Sequence, residues 1–287
     1  MNPKDTFFSR KQSMQCRGSI LDFRHPRIMG ILNITPDSFY QGSRLTDPGA
    51  IREKVLEMIT EGADLVDVGA YSSRPGSEGV STAEEMKRLE MALDTIRQAR
   101  PDVLISVDTF RTEIARRVVN DFNVDMINDI SGGDMDQDMF ETMAGLQVPY
   151  VMMHMKGEPS NMQEHAIYED VVKEIIYDFS AKIRRLNRLG VNDIIIDPGF
   201  GFAKTIDHNY QILRQLEAFH IFRQPLMVGL SRKSMIYRVL GTGPEEALNG
   251  SSVLHAIALM KGANILRVHD VKEARETIKL VGKTFPA

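Results

Sequence analysis

The strongest constraint on this chain is an alternation: eight short apolar runs, each followed by a stretch whose apolar residues recur at helical spacing. The strand-like runs cover residues 27–34, 64–70, 103–108, 126–131, 149–155, 194–199, 225–231 and 265–270. Helical stretches follow near 48–62, 82–99, 111–121, 136–146, 168–189, 207–219, 245–262 and 271–281. Strict alternation of strand and helix demands parallel strands joined by crossover helices, and eight such units are the number that closes a barrel. The expected fold is a single (β/α)8 TIM barrel of the α/β class; an open, doubly wound sheet is the other arrangement the pattern permits. Before the first run, residues 13–24 read as a small hairpin able to plug the barrel's N-terminal end. The expected division is an N-terminal extension with hairpin over 1–26 and a barrel domain over 27–287, with no low-complexity linker between.

Composition narrows the partners. Of 287 residues 43% are hydrophobic and 26% charged, enough apolar material for a full core and too much for a disordered chain. The net charge of −4 is too mild for a protein that binds nucleic acid or an anionic membrane through a broad basic surface, so any anion must be gripped locally. No apolar run is long enough to span a bilayer, and the first 25 residues carry charges where a signal peptide would be apolar. Cys16 is the single cysteine, which excludes an internal disulfide and a thiolate zinc cluster. A cytoplasmic location is the expectation.

Chemistry concentrates where strands end. Asn33, Asp108, Asn128, Asp197, Ser231 and His269 fall at or near the last positions of six of the eight runs, so a closed barrel would gather them around one mouth. A lone Asp at such a position is usually a turn or cap residue; several converging on one rim point instead to a site. Asp108 and Asp197 follow apolar strands, and partly buried carboxylates need donors, which a heterocycle with adjacent ring N–H and amino groups would supply. Arg267 and His269 are two apart on a strand, so they leave one face and can grip one anion together. Arg74, in the loop after the second run, adds a cation there or forms a surface salt bridge.

In GLSRKS the residues Ser231 to Ser234 open a helix, where free N–H groups attract an anion; Ser234 is the candidate cap and carboxylate partner. Lys233 admits two functional readings, a hydrogen-bond donor to substrate or a Schiff-base nucleophile as in barrel aldolases. GFGFAKT, residues 199–205, looks superficially like a P-loop, but Ala203 and Pro198 stand where glycines are required. The spacing of His25, His165, His208, His220 and His255 does not argue for a metal, and the 17 methionines read as core filler.

Taken together, GILNITPDSF, SSRPG, SVDTF, INDISGG, MMHMKG, DPGFGF, GLSRKS and ILRVHDV occur in the order seen in dihydropteroate synthases, and the resemblance runs from Met29 to Val271. It implies a Mg2+-requiring, cytosolic homodimer, inhibited by sulfonamides, that condenses two small molecules, 6-hydroxymethyl-7,8-dihydropterin diphosphate and 4-aminobenzoate, in folate biosynthesis. Carried over by motif, Asp108, Asn128, Asp197, Gly201 and Lys233 would bind the pterin, and Asn33, Arg74, Arg267 and His269 the diphosphate, with Asn33 also a Mg2+ ligand. Phe39, Ser73, Pro75, Lys233 and Ser234 would border the aminobenzoate, and Asp108, Lys233, Arg267 and His269 would be the catalytic set. The family mechanism implies an SN1-like displacement without a protein nucleophile. A corrinoid-linked methyltransferase on the same barrel, or a non-catalytic pterin binder, would share the pterin residues but would not explain the SRK and RVH anion sites. Three departures stand out: Tyr40, Gln41, Gly42 and Ser43 where the family usually reads S-D-G-G, Tyr71 in place of a Glu, and Ala203 in place of a glycine.

Overall fold

The computed structural model describes residues 11–34, 47–71 and 80–285. A hairpin comes first, β1 (Ser13–Cys16) paired antiparallel with β2 (Ser19–Asp22). Its two turn residues, Arg17 and Gly18, both have positive φ (45° and 80°), the geometry that matches the natural twist of a two-residue hairpin loop. Strand and helix then alternate as the sequence pattern demands: β3 (Arg27–Asn33), α1 (Pro48–Glu61), β4 (Leu65–Gly69), α2 (Thr82–Ala99), β5 (Leu104–Asp108), α3 (Thr112–Phe122), β6 (Met126–Asp129) and α4 (Met139–Leu146). The second half continues with β7 (Tyr150–Met153), α5 (Val171–Arg188), β8 (Ile194–Asp197), α6 (Ile206–Arg214), β9 (Met227–Val228), α7 (Ser234–Leu240), α8 (Leu248–Met260), β10 (Ile265–Val268) and α9 (Val271–Thr284).

The eight parallel strands run β8-β7-β6-β5-β4-β3-β10-β9. A parallel bridge between Ile196 and Leu226 joins the two ends, helped by the Ile196 N–H donating to the Pro225 carbonyl at 3.0 Å. The sheet is thus a closed barrel, and the open-sheet alternative falls away.

Strand parity sorts the core into two apolar bodies. Ile28, Leu32, Val66, Val68, Ile105, Val107 and Ile127 face outward and pack with the helices in the larger cluster. Residues of the opposite parity near the strand starts, Met29, Leu65, Met126, Val151, Ile195, Met227 and Ile265, form a second cluster with Met14, Cys16, Leu21 and Phe23 of the hairpin segment. The hairpin therefore plugs the N-terminal end of the barrel, as its position in the sequence suggests. Ties at its margins fix it there: Arg17 donates to the Asn123 carbonyl, Lys11 pairs with Asp193, and the Cys16 thiol, pushed up to about 12 by burial and by nearby Asp125 and Asp193, reaches the Asp125 carbonyl at 3.5 Å.

Two expected elements end differently. The seventh run shortens to Met227–Val228: before it Leu226 makes an isolated bridge to Ile196 and gives its N–H to the Asn264 side chain at 3.0 Å, and after Val228 the pairing with β10 ends. The expected helix over 207–219 stops at Arg214 and tightens into a 3-10 segment, Leu216–Phe222. Leu216 and Phe219, three apart, both stay buried there, since positions i and i+3 share a face in a 3-10 turn.

Phe23→Ala would remove the largest side chain of the plug and leave a cavity at the barrel floor. The expected loss is about 3–4 kcal/mol of unfolding free energy, read by urea denaturation, with an unchanged m-value.

Candidate active site

Above the apolar floor, the inward positions turn polar. Leu65, Asp67 and Gly69 share one face of β4, and Leu104, Ser106 and Asp108 one face of β5, so each strand carries its side chains from plug to mouth in a single column. Asp67 is fully buried, and its Oδ2 accepts from Arg267 Nε at 2.7 Å and from Asn128 Nδ2 at 3.0 Å. Arg267 Nη2 reaches the second carboxylate, Asp108 Oδ2, at 2.9 Å. One guanidinium from β10 thereby bridges two carboxylates from β4 and β5, with an amide from β6 completing the cluster.

This arrangement sets the protonation of Asp108. Burial pushes its carboxyl up to about 7; Arg267 pulls the other way, and the like charges of Asp67 and Asp129 add to the rise. Asp129 itself turns outward into structural work, accepting from the Ser131 hydroxyl (2.7 Å), the Gly133 N–H (2.9 Å) and the Tyr150 hydroxyl (2.7 Å) to shape the turn that follows Asn128.

On the opposite arc, Asp197 ends β8 and accepts the Gly199 N–H at 2.8 Å. Burial raises its pKa, with the Lys233 charge opposing. Lys233 donates to the Phe200 carbonyl and lies 4.7 Å from the Phe202 ring centroid. Burial lowers its ammonium to about 8, against the pull of Asp197. Gly201 has φ of 81°, and a Cβ there would stand 3.1 Å from Lys233 Cδ, so this glycine makes room for the lysine. Ser234 is the first residue of α7 rather than its cap; the cap position is Lys233, whose side chain makes no capping bond.

Asn33 ends β3 and His269 directly follows β10, while Ser231 follows β9, all at the C-terminal mouth. The His269 N–H donates to Ser231 Oγ at 3.3 Å. Asp108, Asn128, Asp197, Gly201, Lys233, Ser234, Arg267, His269 and Asn33 are thus gathered at one end of the barrel. Phe39, Gln41, Ser73, Arg74 and Pro75 lie outside the described residues.

Some residues of the mouth escaped sequence reasoning. Asp67 was legible in principle as a charge at an inward position of an apolar strand, LVDVG. Lys204, the lysine of the P-loop look-alike, is buried and bonded to neutral groups: its Nζ donates to the Phe202 carbonyl at 2.9 Å and the His154 carbonyl at 3.1 Å, and lies 3.2 Å from His154 Nδ1. These contacts tie the loop after β8 to the loop after β7, and burial lowers Lys204 to about 7 and His154 to about 2. Phe110, Ile130, Met153, Met155, Met162 and Ala203 form a separate apolar wall at and beyond the strand ends. Tyr71, the departure from the usual Glu, packs against it edge-on to Phe110 with ring centroids 5.1 Å apart.

The mouth, with carboxylates and an amide at its base, cations beside them and an apolar wall, suits a flat polar heterocycle bearing an anion. The sequence profile of the pterin-binding enzymes matches residues 29–269. The chain belongs to that family. Dihydropteroate synthase of Escherichia coli K12 is 43% identical over 276 residues, covering 94% of this chain and 96% of that protein. The Yersinia pestis dihydropteroate synthase, solved with a sulfonamide drug complex, superposes with a TM-score of 0.91 at 39% identity, covering 96% of this chain and all (100%) of the other. The Thermus thermophilus enzyme in complex with 4-aminobenzoate gives 0.85 at 36% identity, covering 95% and 100% of the two chains. In this member of the pterin-binding family, the base of the site depends on a buried ion cluster. Asp67→Ala leaves Arg267 one carboxylate short, with an expected cost of about 3 kcal/mol in urea unfolding at neutral pH.

Proposed function

We propose that the chain catalyses the condensation of 6-hydroxymethyl-7,8-dihydropterin diphosphate with 4-aminobenzoate to 7,8-dihydropteroate and diphosphate, a step of folate biosynthesis. The observation that carries this reading is the Arg267 bridge between Asp67 and Asp108, with Asn128 bonded to the same Asp67 oxygen. It puts acceptors for a pterin's N–H edge and a cation for its diphosphate within one side chain's reach of each other.

Asp108, Asn128 and Asp197 hold the pterin's donors, with Gly201 and Lys233 closing that side. Arg267, His269, Asn33 and Arg74 receive the diphosphate. As the bond from the pterin methylene to the diphosphate oxygen lengthens, its electron pair leaves with the diphosphate, and cations aimed at that group become more stabilising than in the ground state. The methylene carbon becomes cationic in an SN1-like displacement, stabilised by the dihydropterin ring and the ionised Asp108. The uncharged amine of 4-aminobenzoate forms the new C–N bond and gives up a proton. No protein nucleophile is required, so positioning dominates. Ser234 and Lys233, with Phe39, Ser73 and Pro75, border the aminobenzoate, the site at which sulfonamides would compete.

Asn33 fits a Mg2+ ion. Its amide oxygen is a hard donor at the mouth, and Gly69 leaves the space beside it open, since a Cβ there would stand 3.4 Å from Asn33 Oδ1. Mg2+ characteristically takes few protein ligands and binds through substrate phosphates; bound here, it would neutralise charge developing on the leaving diphosphate.

The proposed protein is a cytoplasmic homodimer. Among the described residues no helix is long and apolar enough to cross a membrane. Val239 and Leu240 of α7, Val253 and Met260 of α8 and Leu280 of α9 are apolar and exposed, which supports a covered face on this side of the barrel.

The direct test is incubation of the purified chain with the pterin diphosphate, 4-aminobenzoate and Mg2+. Dihydropteroate, identified by mass, with matching release of diphosphate is the expected result; no product would refute the reading. The pH dependence follows from the two shifted groups. Asp108 must lose its proton and Lys233 must keep its own. For the pterin substrate kcat/KM should therefore climb as pH rises through about 7 and fall as it passes about 8. Asp108→Asn should abolish the acid limb.

A further inference from the structure

The pairing of β9 with β10 ends at Val228 and Leu266, so no strand ladder holds the Ser231 to Ser234 segment against His269. A side-chain pair does so instead. Arg232, between Ser231 and Lys233, has φ of 53°, a left-handed conformation that non-glycine residues rarely adopt. From that turn its guanidinium reaches across to the next βα unit, donating from Nε to Asp270 Oδ2 at 2.9 Å and from Nη2 to Asp270 Oδ1 at 2.8 Å. Nη1 donates to the carbonyls of Pro244 at 3.1 Å and Glu245 at 2.8 Å. The Arg232 N–H donates to Ser251 Oγ at 2.9 Å, which anchors the turn on α8. Both charged side chains are largely shielded, 10% and 17% exposed.

Asp270 is conspicuous for what it forgoes. It occupies the position before α9, where an aspartate normally accepts from the first free N–H groups, yet its side chain makes no capping bond. Its two oxygens are engaged by the fork of Arg232, the planar bidentate geometry in which an arginine fixes direction as well as distance. Ser231 adds a lighter stitch, its Oγ 3.5 Å from Asp270 Oδ2.

We propose that Arg232 and Asp270 are positioning residues for the condensation: their bidentate pair holds Lys233 and Ser234 in register with Arg267 and His269. The separation between the group that holds the aminobenzoate carboxylate and the groups that hold the diphosphate is then fixed before either substrate arrives. This rests on the roles given to those four residues above. A bare pterin depends chiefly on Asp108, Asn128 and Asp197 and meets the clamp only through Lys233, so its binding is much the less affected.

The test uses the full chain with Asp270→Asn, Arg232→Gln and the double substitution. Each single variant should lower kcat/KM for 4-aminobenzoate about 30-fold at saturating pterin diphosphate, mostly through KM. Binding of bare 6-hydroxymethylpterin, followed by calorimetry, should stay within about threefold of the parent. The double variant should be no worse than the weaker single one, because both lose the same contact. Unchanged aminobenzoate kinetics in Asp270→Asn, equal losses in pterin binding and turnover, or multiplied losses in the double variant would each overturn the proposal. If Asp270→Asn fails to fold, Arg232→Lys, which keeps the charge and loses the fork, should show the same selective rise in KM; its absence counts equally against the clamp. Arg267→Ala separates the two levels of argument: full turnover there would overturn the functional reading itself, whereas a crippled Arg267→Ala beside a normal Asp270→Asn defeats only the clamp.

Discussion

The barrel's working end is organised by a single buried cation. Arg267 stands between Asp67 and Asp108, and all three leave water to be there. Desolvating such a cluster costs more than ordinary packing returns unless each charge meets a partner at close range. The geometry supplies those partners from β4, β5 and β10 and a fourth side chain, Asn128 of β6, because the barrel's curvature turns inward positions of strands that are not neighbours toward one another. The apolar plug below is the complementary condition: hairpin residues seal the N-terminal end, so the polar layer opens to solvent only at the mouth. Where the charges sit and how they ionise both follow from this layering.

Electrostatic tuning at the mouth works in opposed pairs. Burial moves carboxylates up and ammonium groups down, and each partner charge resists the shift. Asp108 at about 7 and Lys233 at about 8 are left poised at and just above neutrality. Lys204, by contrast, is stripped of solvent with neutral oxygens and a histidine nitrogen around it, and its contribution is to hold backbone. The two lysines that meet the loop after β8, Lys204 beside Gly199 and Lys233 beside Phe200, both feel the Asp197 charge, but Lys204 is held by two carbonyls and a histidine nitrogen whereas Lys233 keeps one carbonyl and stands against the Phe202 ring.

Much of this was legible from the chain itself. Eight alternations implied closure, and polar residues at strand ends implied a shared mouth, because parity and strand direction are local properties that the barrel merely repeats. What escaped was relational. Asp67 lies mid-strand, and only the barrel's curvature reveals that it meets Arg267 from a strand two hundred residues away in the chain. Ser234 read as a helix cap from its neighbours, but the helix starts one residue earlier, with Lys233 at the cap position directly after the left-handed Arg232. The early end of α6 likewise reflects packing, since the spacing of Leu216 and Phe219 suits a 3-10 segment as well as an α-helix.

Departures from the family pattern acquire physical content in the same way. A Glu at position 71 would carry a charge into the approach to the site; Tyr71 instead lays its ring against Phe110 and 5.5 Å from the Arg111 guanidinium. Arg111 in turn pairs with the fully buried Glu85 and donates to the Val80 carbonyl at 2.7 Å. Residues on both sides of the 72–79 segment are therefore fastened to one arginine, through a ring face on one side and a carbonyl on the other. The aromatic ring at position 71 thus gives that cation a partner, beside the Glu85 carboxylate, at the approach to the barrel mouth.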